Sequence, residues 1–247
     1  TVKTPAHAEG PVTVEVTVGG AKASRTEAFR FAYLLTEAPL VDGSVTTSEW
    51  PAEFSLADDT AVSGWDNNDL DKLWVGFDDT YLYVGITGRV ESANAIVLFL
   101  DTDFGAKTGY LPDTLGDNSG ALDAALTGSG IKVYVPGFGA EFAAGLFGGT
   151  GQTLASLDSS GHAGLRGFQG GPSDFHWLGA DVVMTETGIE MRFERAVVGL
   201  AASSGGHQAA LFVRIVNQDG EYTSPEGLPS STNGDGSVDS VVRLWVN

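Results

Sequence analysis

The stretch from Leu73 to Tyr110 constrains the fold more than any other part of the chain. Residues Leu73 to Thr87 alternate around Asp78-Asp79-Thr80, with Trp74, Val75 and Phe77 before the turn and Tyr81, Tyr83, Val84 and Ile86 after it. Alternation broken by a short polar turn is the signature of an antiparallel hairpin. Ala95 to Leu100 is then apolar without interruption for six residues. That is too short for a typical helix and fits a strand buried on both faces. Directly after it come Asp101 and Asp103, then Gly105, Thr108 and Gly109.

The remaining sequence repeats the theme. Short strand patterns at Ile131–Val135, Asp181–Met184, Ile189–Phe193, Ala210–Val216 and Val241–Val246 are separated by turn clusters such as Asp66-Asn67-Asn68-Asp69. Such punctuation predicts an all-β, antiparallel β-sandwich rather than an α/β arrangement. Gly120–Leu126 reads as a turn or a strand, and Arg195–Ala202 as a helical turn. The glycine-rich segments Gly137–Gly151 and Ser159–Gly171 read as long loops, where a binding face is expected. Residues 1–35 differ in character: Val12–Val18 alternates, Gly19-Gly20 makes a turn, and Ala28–Tyr33 alternates again. An isolated hairpin is marginal in water, so either the chain is a fragment of a longer multidomain protein or these strands pair with the next domain or a neighbouring chain. Residues 36–39, ending in Pro39, read as a linker to a domain spanning 40–247.

Composition excludes several functions. The chain of 247 residues has no cysteine, which removes disulfides, thiolate metal sites and a cysteine nucleophile. Its 13 Lys+Arg against 32 Asp+Glu give a net charge of −19, which repels nucleic acid and anionic membranes. No apolar run reaches the roughly 20 residues of a membrane-spanning helix. The chain begins at Thr1 without Met, which reads as a mature or excised fragment of a secreted or cell-surface bacterial protein.

Two kinds of site are legible. Asp101 and Asp103, followed by Asp113, Asp117, Asn118 and Asp123, place oxygen donors on glycine-bent loops, the ligand chemistry of calcium. The same residues serve equally well to cap turns. Asn233–Asp239 spaces oxygen donors like part of a calcium loop but lacks a closing Glu, and a glycine-rich turn is favoured there. Of the five tryptophans, Trp74 and Trp245 lie in strand patterns and read as core. Trp65, beside Asp66 and Asn67, and Trp177, after Asp174-Phe175-His176, stand in polar surroundings. An indole there offers an apolar platform for the C–H face of a sugar, with polar neighbours for its hydroxyls; burial with a bonded indole N–H is the competing state. The four histidines show no paired metal spacing, and no G-x-S-x-G elbow occurs. With 32 acids, a facing pair of catalytic carboxylates is a third and weaker reading.

The order of these elements carries a resemblance. Val41-Asp42-Gly43 leading to Glu49-Trp50, the hairpin Asp78-Asp79-Thr80-Tyr81-Leu82-Tyr83-Val84-Gly85-Ile86-Thr87-Gly88, the strand ending in Asp101-Thr102-Asp103, Gly188–Phe193 and the close at Asn217–Tyr222 together resemble the DOMON-like β-sandwiches. That group includes the family 9 carbohydrate-binding modules of extracellular glycoside hydrolases. The resemblance implies a non-catalytic module, alone or within a larger enzyme, with a polysaccharide or glycan as partner and structural calcium. The haem-binding branch of the group uses Met and His ligands, but here Met184 and Met191 fall in strand patterns with no His to pair them. Residues 1–35 resemble the C-terminal strands of an IPT/TIG immunoglobulin-like domain. A structural or adhesive module of a surface protein or fibre, joined to neighbours through those strands, is the alternative.

Overall fold

The computed structural model describes residues 10–18, 21–31, 33–59, 68–91, 94–116, 121–127, 131–147, 163–168, 171–185, 188–203, 206–217, 222–231 and 234–246. These hold fifteen strands. In chain order they are β1 Gly10–Val18, β2 Ala21–Phe31, β3 Tyr33–Leu34, β4 Ser55–Asp58, β5 Asp69–Phe77, β6 Tyr81–Arg89, β7 Asn94–Asp101, β8 Phe142–Phe147, β9 Ala163–Gly167, β10 His176–Trp177, β11 Asp181–Met184, β12 Gly188–Glu194, β13 His207–Asn217, β14 Thr223–Leu228 and β15 Val242–Val246. One short helix, α1 Ala121–Leu126, stands among them. No helix among the described residues is long and apolar enough to cross a membrane.

The strands form two sheets, of nine and six strands. The larger runs β1-β2-β15-β13-β7-β8-β9-β10, with β14 also on β13; the smaller runs β11-β12-β6-β5-β3, with β4 also on β5. Pairing is antiparallel except where β2 lies beside β15 and β3 beside β5. The chain therefore leaves the edge hairpin β1–β2 of the larger sheet and enters the smaller one at Tyr33.

The chain is an all-β sandwich, and β7 explains why its sequence is apolar throughout. Ile96, Leu98 and Leu100 face the core between the sheets, packing with Leu82, Val84, Met191, Phe193 and Val213. Ala95, Val97 and Phe99 point the other way, into a second apolar layer built from α1, Ile131, Val135 and Phe138. A third cluster lies on the outer face of the smaller sheet, where Trp50, Phe54 and Leu35 cover Trp74 and Tyr83.

The β5–β6 hairpin forms in the expected register around Asp78, whose Oδ1 accepts from the Thr80 and Tyr81 amides and whose Oδ2 accepts from the Tyr83 hydroxyl. The strands expected at 181–184, 189–193, 210–216 and 241–246 all form. Other expectations need correction. Gly120–Leu126 contains a helix, neither turn nor strand, and its Leu122 and Ala125 face are buried against the larger sheet. Ile131–Val135 is no strand, since only Val133 makes a bridge, to Val238, before Pro136-Gly137 turns the chain away. The glycine-rich segments hold β8 and β9 rather than loops alone. Small residues suit β8 because α1 packs across it: a Cβ on Gly145 would meet Leu122 at 2.9 Å and the Ile96 carbonyl at 2.5 Å. Residues 195–199 form a hydrogen-bonded turn, with the Val198 amide donating to the Glu194 carbonyl. Trp245 is half-buried on the outer side of β15, not core, because Val242, Leu244 and Val246 take the inward positions.

Candidate functional site

Antiparallel register brings distant acids together at one end of the larger sheet. Leu100 on β7 faces Phe142 on β8, so Asp101, one residue further, meets Glu141, one residue earlier. The Glu141 amide donates to the Leu100 carbonyl and holds the pair in place. Asp103 folds back through the turn that follows, its amide donating to Asp101 Oδ1 at 3.1 Å. Carboxylate oxygens of Asp101, Asp103 and Glu141 all lie within 4.8 Å of one another.

Glycine makes this approach possible. Gly109 (φ +70) lies so close to the 139–141 segment that a Cβ would be 2.4 Å from the Gly139 carbonyl and 2.6 Å from Glu141 Oε1. Gly139 in turn has the Thr108 carbonyl where its own Cβ would stand, at 2.0 Å. Side chains at either position would force the two loops apart.

The electrostatics are unfavourable for three free carboxylates. Asp101 is 1% exposed, and its Oδ2 accepts the Gly139 amide at 2.9 Å. Burial pushes its carboxyl up to about 7, and the charges of Glu141 and Asp103 add to the rise against the two amide donors. Burial also raises Glu141, although the Thr102 amide and Thr108 hydroxyl bond it. The Thr108 hydroxyl sits 2.6 Å from Asp103 Oδ1 and 2.7 Å from Glu141 Oε1. A hydroxyl has one proton to donate, so one of these two close oxygen pairs requires a further proton or a cation. Three carboxylates and a hydroxyl converging on one point are a donor set for a hard metal ion.

The other acids expected here are elsewhere. Asp113 is exposed in the 3-10 turn Pro112–Thr114. Asp123, on α1, is buried and accepts from Arg166 Nε at 2.6 Å. Asp117 and Asn118 lie outside the described residues, as do Trp65, Asp66 and Asn67. Glu141 is the member that sequence reasoning missed. Of the Asn233–Asp239 segment, Asn233 lies outside the described residues; from Gly234 onward the chain bends, with Asp235 accepting from the Ser237 amide and hydroxyl.

Trp177 stands on the edge strand β10 of the same sheet, two strands away from β8. It is 48% exposed on β10, whereas Trp50 and Trp74 are buried. Its cross-strand partner is Arg166, and its indole nitrogen lies across Gly164, 3.1 Å from where a Cβ would be. Gly164 takes φ +115 there, so the flat indole rests on bare backbone. Beside it on the same face is Arg166, held in a buried pair with Asp123, whereas His176, one residue earlier on the strand, faces the other side and lies 3.2 Å from the exposed Asp174. An exposed aromatic surface of this kind can take a ligand with an apolar face.

Neither a family model nor a curated protein matches the chain. Among solved structures it is similar to a family 9 carbohydrate-binding module from Caldicellulosiruptor kristjanssonii in complex with cellotriose. That match has 11% identity and a TM-score of 0.42, and covers 87% of this chain and 94% of that one. A family 9 module from the same organism in complex with glucose gives 13% identity, coverage of 88% and 95%, and a TM-score of 0.39.

Proposed function

We propose that the chain is a non-catalytic, secreted or cell-surface glycan-binding module, with Trp177 as the sugar platform and calcium held by Asp101, Asp103 and Glu141. The observation that carries the reading is Trp177 itself. A residue type that is highly buried on average is here half-exposed on a two-residue edge strand, with Arg166 as its cross-strand neighbour. The order of sequence elements that resembles family 9 modules supports the same conclusion. Calcium suits the cluster because it takes six to eight oxygen ligands in flexible geometry. Its role would be to tie the 101–110 loop to the start of β8.

Binding is tested by affinity electrophoresis and calorimetry against a panel of soluble plant and microbial polysaccharides. Trp177→Ala is expected to weaken binding at least about tenfold, as loss of an aromatic anchor does, with an unchanged melting temperature. Equal binding by the variant, or no binding to any glycan, sinks the proposal. A structural or adhesive role rests on a separate observation: among the described residues β1 ends the larger sheet with one side unpaired, a ready template for another strand.

A further inference from the structure

The outer face of the smaller sheet is only partly covered. Trp50 lies across Gly85 and closes one end, together with Phe54 and Leu35. Where that cover stops, a groove of about 280 Å³ remains, with Tyr81, Asp181, Arg192 and Glu194 on its floor and Leu178 and Val197 on its walls. Strand alternation makes this floor polar. Leu82, Val182, Met191 and Phe193 point into the core, so Tyr81, Asp181, Arg192 and Glu194 point out. Register sets them side by side, Glu194 opposite Tyr81 and Asp181 opposite Arg192. The Arg192 guanidinium is fixed twice, donating through Nη2 to Asp181 and resting 4.6 Å over the Tyr81 ring. None of these residues belongs to the Trp177 face or the acidic cluster.

The lining decides what the groove can take. Two carboxylates beside one guanidinium repel a phosphate or carboxylate ligand, and a cationic ligand would meet Arg192. A neutral polyhydroxyl ligand conflicts with neither. The carboxylates accept its hydroxyl protons, the guanidinium and tyrosine hydroxyl donate to its oxygens, and Leu178 and Val197 cover its C–H face. Small-molecule sites begin near about 300 Å³, so this volume suits one sugar ring and not a chain. We propose that the groove is a second carbohydrate site, separate from Trp177, that takes a single neutral sugar ring or chain end. The module would then hold a glycan at one place and read a free sugar or terminal residue at another.

Amide NMR of the full chain tests this, with glucose, galactose, xylose and inorganic phosphate titrated into wild type, Trp177→Ala and Glu194→Ala. The expected result is saturable shifts at Gly179, Asp181 and Arg192 with at least one monosaccharide, equal in wild type and Trp177→Ala. Glu194→Ala, at an exposed position, should keep its dispersed spectrum and bind at least tenfold more weakly. Absence of shifts with every sugar, equal saturation by phosphate, or undiminished affinity in Glu194→Ala each overturns the proposal. Because the readout is independent of Trp177, it separates failure here from failure of the glycan-binding reading.

Discussion

Asp101 combines two opposed demands in one side chain. Its backbone bonds require an acceptor at that position, while its burial and two acidic neighbours penalise the charge. With a carboxyl near 7 in the folded state and about 3.9 in the unfolded chain, the folded protein binds the extra proton between those values. Metal-free stability at this site is therefore greatest at low pH and declines by a few kcal/mol as pH rises from about 4 to 7. A bound calcium ion reverses the sign, since it prefers the ionised carboxylates. In chelator, Asp101→Asn should gain on wild type as pH rises from 5 to 8, read as urea midpoints. At pH 8, calcium should raise the melting temperature of wild type and leave the variant unmoved, with magnesium a poor substitute. A wild-type minus variant difference that ignores pH, or a variant that still responds to calcium, refutes this account. Asp101 and Asp103 were legible because they follow directly on a doubly buried strand. Glu141 was not, because its position follows only from the register of β8 on β7, and β8 lay hidden in a run rich in glycine.

At the scale of elements, that glycine-rich run is where sequence and structure part. Phe142-Ala-Ala-Gly-Leu-Phe147 and Ala163–Gly167 lack the β-branched residues that mark strands, and the reason is their neighbours. β8 carries α1 on one face and the sandwich core on the other, so Gly145 and Ala143 leave the helix room to settle. The six-residue helix has no strong sequence signal of its own, being held by burial of Leu122, Ala125 and Leu126 and by the Asp123–Arg166 pair. Asp123→Ala would leave Arg166, 4% exposed, without that carboxylate. Breaking a buried pair this way typically costs about 3–5 kcal/mol. Urea unfolding of the variant should show that loss while the calcium-induced shift stays intact. A lost calcium response together with unchanged stability would make Asp123 a metal ligand and remove the ion pair as its role.

For the whole molecule, the larger sheet sets the spacing between its two candidate interaction edges. The sandwich itself was readable from alternation and turn punctuation, but the path of residues 1–35 was not. An alternating hairpin is compatible with pairing to any exposed edge, and the choice of β15 follows from the assembled sheet alone. In that sheet β1 lies at one edge and β10 at the other, seven strand spacings apart. At about 4.8 Å per spacing, this puts the hairpin roughly 34 Å from Trp177. β2 meets β15 through just two paired residues, Leu244 with Arg30 and Trp245 with Phe31, whereas β15 pairs with β13 along five. Removing residues 1–31 should therefore leave the sandwich folded with a modest fall in melting temperature, and glycan affinity at Trp177 should be unchanged. If the β1 edge recruits further strands, the full chain should self-associate at high concentration in sedimentation velocity and the truncated chain should not. Loss of glycan binding on truncation would instead place the binding face at the N-terminal hairpin, and Trp177 would then be an exposed edge residue with no part in recognition.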